Sequence, residues 1–138
     1  MKNKLIYLLL VGLLIASCSK EKKAKNNLIG KWNANVMTAV DEIDGSPLDL
    51  IAMGESMTLD FKDCGTDGFC PVTVQLSLDG EIEVFETHYI LDSSGDSMTI
   101  LYTFESEVTI IELSSDELII SSPTFVYGND LYVELEKE

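Results

Sequence analysis

Between residues 28 and 136, run after run of the sequence places apolar side chains at every second position. That period fits an extended strand with one face buried, and it does not fit a helix, whose apolar stripe recurs every three to four residues. Trp32, Ala34 and Val36 alternate with Lys31, Asn33 and Asn35; Met57, Leu59 and Phe61 alternate with Thr58, Asp60 and Lys62. Val72, Val74, Leu76 and Leu78 alternate with Thr73, Gln75 and Ser77, and Phe85, Thr87, Tyr89 and Leu91 with Glu86, His88 and Ile90. Met98, Ile100, Tyr102 and Phe104 follow, then strands at Val108 to Leu113, Leu118 to Ile120, and Leu131, Val133 and Leu135. Eight strands are predicted, and order is expected to begin at Leu28-Ile29-Gly30-Lys31-Trp32.

The connections are mostly short. Asp79-Gly80 is a two-residue hairpin signal, and Ser93 to Asp96, Ser114 to Asp116 and Gly128 to Asp130 have turn chemistry. The 16 residues from Met98 to Leu113 contain no Gly or Pro and exceed a usual strand, so a break is expected near Glu105-Ser106. Pro123 should mark a bulge or a strand end. One connection is long: Val40 to Glu55 is expected to hold a helical turn or to lie as a flap over an open end. The expected fold is all-β: an eight-stranded antiparallel up-and-down meander that closes into a barrel, with a two-sheet β-sandwich as the alternative.

Lys2 and Lys4 precede a 12-residue apolar run, Leu5 to Ala16, which is shorter than a membrane span. Ile15-Ala16-Ser17-Cys18, which ends it, resembles the lipobox of bacterial lipoproteins. The resemblance implies a signal peptide at 1–17, cleavage before Cys18, and acyl chains on Cys18 that hold the protein to a membrane. Ser19 in place of Asp looks like an outer-membrane address within the cell envelope, on either the periplasmic or the surface face. Residues 18–27, polar and rich in lysine, read as the lipidated cysteine and a flexible basic tether, and residues 28–138 as the folded domain.

From Leu28 onward the chain has three lysines, no arginine and 23 acidic residues, a net charge of −20. Such a body is repelled by nucleic acid, which excludes nucleic-acid binding. Cys64 and Cys70, with five residues between them, remain once Cys18 is assigned to lipid, and an exported chain is expected to join them.

Gly30-Lys31-Trp32 at the head of a meander resembles the Gly-x-Trp of lipocalins, and the run Val108 to Ile120 is similar to a late hairpin of small lipocalin-like bacterial lipoproteins. The resemblance implies a barrel whose floor is closed by Gly30 and Trp32. Lipocalins usually cover that tryptophan with a basic residue, often arginine; this chain has none, and Lys137 is the substitute, by cation–π contact. The domain is also shorter than a typical lipocalin and lacks its long C-terminal helix.

Two functions stay open. One is a small hydrophobic ligand held in the barrel by Phe61, Phe85, Tyr89, Tyr102 and Phe104. The other is a filled structural or interaction module meeting a protein or glycan, with Phe69 on the stapled loop as a recognition feature. Calcium binding at Asp60, Asp63 and Asp67, or at Asp41, Glu42 and Asp44, and surface adhesion are further alternatives, although neither acidic cluster has the spacing of a calcium loop. No enzyme is expected: the single histidine, His88, is placed outward, and no Ser or Cys lies in an activating motif. No cofactor or metal is assigned.

Overall fold

The computed structural model describes residues 20–41, 43–66, 68–101, 105–126 and 129–138; the leader at 1–17 and Cys18 lie outside them. The strands are β1 (Gly30–Val40), β2 (Pro47–Asp49), β3 (Ser56–Phe61), β4 (Cys70–Leu78) and β5 (Glu81–Leu91), then β6 (Ser97–Leu101), β7 (Glu105–Leu113), β8 (Glu117–Val126) and β9 (Asn129–Lys137). From β3 to β9 each strand pairs antiparallel with the next, and β1 pairs with both β3 and β9, so eight strands close on themselves. The β1–β9 ladder runs from Trp32 opposite Lys137 to Ala39 opposite Leu131 and selects a barrel over a sandwich. The short β2 is an addition, paired to the end of β1 at residues 38–40.

Odd and even positions divide as the sequence requires. Met57, Leu59 and Phe61 of β3, Val72 and Val74 of β4, Met98 and Ile100 of β6, and Leu131, Val133 and Leu135 of β9 all point inward and are buried. One expected position is corrected. Val36 does not share the inward face of Trp32: a β-bulge between Ala34 and Val36 inserts one residue against β9, so the phase flips. Met37 is buried in its place and Val36 is exposed. A second bulge, between Ile110 and Glu112, leaves Ile111 on the outer wall. Around Pro123 the β8–β9 register shifts, as the missing N–H demands.

Asp79 and Gly80 both adopt positive φ, 53° and 80°, and form the two-residue hairpin between β4 and β5. The antiparallel order puts the start of β1, the loop 62–69 and the turns 92–96 and 114–116 at one end, here the floor. The 41–55 connection and the 79–80 hairpin lie at the other end, the mouth. The break expected near Glu105 falls between β6 and β7.

The predicted flexible tether is corrected too, because residues 20–28 are helical. Ala24 and Leu28 stand one helical turn apart on the side packed against the barrel, and Leu28 is fully buried. Nine residues with two apolar contacts carry too little periodicity to announce a helix; tertiary docking supplies the stability. Gly95, at φ 77°, lies against this helix, and a Cβ there would be 3.0 Å from that of Ala24. Asp92 holds that turn: its carboxylate accepts the Ser94 hydroxyl at 2.7 Å and the Gly95 amide at 2.9 Å.

Candidate functional site

At the floor, Trp32 is fully buried and its indole N–H donates to the Leu28 carbonyl at 2.7 Å. The Lys137 ammonium sits 4.8 Å from the centre of the Trp32 ring and donates to the Asn27 carbonyl at 2.8 Å. Gly30, at φ 127°, leaves the space over which this lysine lies, since a Cβ there would be 2.7 Å from Lys137 Cε. The three residues singled out in the sequence therefore meet at one point, with the 20–28 helix as a fourth party that sequence reading missed. The signal was present as Ala24 and Leu28, four residues apart.

Beside the floor, Cys64 and Cys70 form a disulfide, S–S 1.98 Å, as expected. The loop it staples carries Phe69, partly exposed with its ring 6.0 Å from the outward-facing His88.

The candidate ligand residues do not form one cluster. Phe61 and Tyr89 are fully buried near the floor, edge to face with centroids 5.0 Å apart. Phe85 stands four residues further along β5 and is only half-buried; Tyr102 and Phe104 lie outside the described residues. The inward positions of β5 grade smoothly: Leu91, Tyr89 and Thr87 are buried, Phe85 is intermediate, and Glu83 and Glu81 are exposed. Burial along β5 thus falls off toward the mouth, where the strand runs beyond its pairing with β6, while Met57, Leu76 and Leu131 stay buried on neighbouring strands.

At the mouth, the chain after β2 turns back over the barrel. Leu50 N–H donates to the Met37 carbonyl at 2.9 Å, and Glu55 N–H closes the turn onto the Leu50 carbonyl, also at 2.9 Å. Leu50 and Ile51 pack on the core, as do Leu78 and Phe85, each only partly buried. The Glu55 carboxylate accepts the Asp79 amide through both oxygens, at 3.1 Å each, and ties this flap to the β4–β5 hairpin. The flap was legible as a long loop with an apolar stretch. Its latch was not, because Glu55 and Asp79 are 24 residues apart. The rim is acidic: Asp49, Asp79, Glu81 and Glu83 surround it, all exposed.

Among the described residues one buried side-chain polar atom is unmatched. The Tyr89 hydroxyl is buried and has no hydrogen-bond partner among the described residues. Burial, with a smaller contribution from the negative Asp63, pushes this phenol from its ordinary 10 up to about 12. An acid whose pKa is raised by folding stabilises the fold below its unfolded pKa, and that stability is lost as pH rises through the folded value. Unfolding measured from pH 10 to about 12 should therefore show a loss of up to about 2 kcal/mol that Tyr89→Phe abolishes. At neutral pH the same variant should be at least as stable as the parent, because it deletes an unmatched buried hydroxyl. An unchanged alkaline slope would show that the phenol is already solvated.

Two clefts lie on the outside. One, of about 240 Å³, is bounded by Thr38, Val40, Pro47 and Tyr132. The other, of about 270 Å³, lies between the 20–28 helix and the ends of the 92–96 turn and β7. Among the described residues no three His, Cys, Asp or Glu side chains converge as a metal site. Of the acidic clusters considered, Asp67 and Glu42 lie outside the described residues. Asp60 pairs with Lys62, Asp41 accepts the Ile43 amide at 2.7 Å, and Asp44 accepts the Ser46 amide at 2.8 Å. Hydrogen bonding from Ser46 holds the Asp44 carboxyl below its ordinary range.

No protein-family model matches the chain, and no curated protein matches it. Solved structures do. The siderocalin Ex-FABP, described as functioning through dual ligand specificities, superposes with a TM-score of 0.56 at 14% identity over 81% of this chain and 74% of its own. Bovine odorant-binding protein, in complex with a selenium-containing odorant, gives 0.54 at 16% identity over 83% and 72%. The same bovine protein with its natural ligand gives 0.53 at 16% over 81% and 72%. Identity this low carries the architecture and nothing finer. The chain has a lipocalin-like β-barrel fold.

Proposed function

We propose that this protein is a lipid-anchored binding protein of the cell envelope, held to the outer membrane by acyl chains on Cys18, whose barrel takes up a small hydrophobic ligand through the mouth. The observation that carries the binding reading is the burial gradient. Trp32, Phe61 and Tyr89 are completely buried at one end, while Leu50, Ile51, Leu78 and Phe85, toward the other, pack on the core and stay incompletely buried. Partly exposed apolar side chains rimmed by polar groups are what an apolar guest would cover. The rim adds a selection rule. With Asp49, Asp79, Glu81 and Glu83 around the opening and no lysine among its described residues, an anionic amphiphile is repelled and a neutral or cationic one is admitted. The siderocalin and odorant-binding relatives in fold, described with ligands, support a binding role of this class.

Two dyes that differ by one sulfonate test this. On the secreted domain (residues 19–138), neutral N-phenylnaphthylamine should bind saturably and anionic anilinonaphthalene sulfonate much more weakly, and Phe85→Glu should abolish binding without changing thermal unfolding. If neither dye binds, and native and denatured masses are identical, the interior is filled. The protein is then an interaction module, a reading favoured by the complete burial of the floor residues. Preference for the anionic dye would overturn the rim argument alone.

A further inference from the structure

The described cations are all at one end of the barrel. Lys20, Lys22, Lys23 and Lys25 are on the 20–28 helix, Lys31 is the second residue of β1, Lys62 follows β3, and Lys137 ends β9; every one lies at the floor. Four are engaged locally. Lys25 pairs with Glu21 at 2.7 Å, Lys31 with Glu138 at 2.6 Å, Lys62 with Asp60, and Lys137 with the Asn27 carbonyl and the Trp32 ring. Lys20, Lys22 and Lys23 are exposed and form no ion pair among the described residues. The floor also bears acids, among them Asp63, Asp96 and Asp116, so its positive character is local to the helix. The mouth, with Asp41, Asp44, Asp49, Glu55, Asp79, Glu81 and Glu83, has no compensating cation among its described residues.

The reach of the chain sharpens this asymmetry. A flexible tether from residue 18 to 27 would extend roughly 35 Å, about the length of the barrel wall, and would allow any orientation. With residues 20–28 helical and seated on the floor through Ala24 and Leu28, only Ser19 separates Cys18 from the docked helix, a span of at most about 7 Å from Cys18 to Lys20.

We infer that the anchored protein stands on its floor, with Lys20, Lys22 and Lys23 against the anionic phospholipid headgroups of the bilayer and the barrel mouth facing away from it. The inference rests on the anchoring of Cys18 proposed above. Two further side chains suit the contact: Phe69 on the stapled loop and Ile111 beside the helix are exposed apolar groups at the floor end. Headgroup charge attracts the helix lysines within a Debye length and repels the acidic mouth, so electrostatics and tether length select the same pose.

The test uses the full chain made in a Gram-negative host and inserted into phosphatidylethanolamine–phosphatidylglycerol vesicles containing a headgroup-quencher lipid. With Cys64 and Cys70 in their disulfide, Ser115→Cys at the floor and Glu81→Cys at the mouth each provide one thiol for a fluorophore. The expected result is acyl mass on Cys18, with the Ser115 label quenched several-fold more than the Glu81 label. Acyl mass with equal quenching, or with stronger quenching at Glu81, would overturn the orientation and leave the anchoring intact. An unacylated Cys18 would overturn both.

Discussion

Trp32→Ala is expected to destabilise the domain by about 3–5 kcal/mol, a large share of the 5–15 kcal/mol that holds a domain this size together. The side chain is fully buried at the floor, so truncation leaves a cavity there. It also removes the N–H that satisfies the Leu28 carbonyl at 2.7 Å and the ring under the Lys137 ammonium. All three losses fall on the junction where the 20–28 helix meets β1 and β9, so the helix should loosen together with the floor. Urea unfolding followed by far-ultraviolet circular dichroism measures the effect, since the chain has a single tryptophan and the variant loses its tryptophan fluorescence reporter. Trp32→Phe should fall between variant and parent, keeping a ring but leaving the carbonyl unmet. A cost below about 1 kcal/mol for the alanine variant would mean that the helix and loops close the floor without the indole.

Gly30→Ala should be nearly as damaging for its size, costing about 2–4 kcal/mol for one added methyl. Two effects combine. The backbone at φ 127° lies where only glycine is comfortable, and the new Cβ would come 2.7 Å from Lys137 Cε. The lysine can swing aside, which relieves the clash but gives up its contacts with Trp32 and Asn27. A double-mutant cycle with Lys137→Ala separates the terms. In that background Gly30→Ala should cost less by the lost lysine contacts, and the backbone strain should persist. Full additivity would show that the strain is the whole effect.

The all-β class, the eight barrel strands, the hairpin at Asp79-Gly80 and the Cys64–Cys70 bond are all readable along the chain, because each is set by neighbours within a few residues: alternation, turn chemistry, an even pair of closely spaced cysteines. The same holds for most of the inward face. Three features were not readable in that way. The phase flip that buries Met37 and exposes Val36 depends on where β1 must bend to meet both β3 and β9, a closure requirement that no local window contains. The docked helix depends on Ala24 and Leu28 finding a floor built from residues up to 113 positions later. The Glu55 latch joins two loops that share nothing in sequence. Local periodicity and turn chemistry thus determined the strands and their order. Closing the barrel decided which side chains are brought from distant strands into contact, and with them the floor and the mouth.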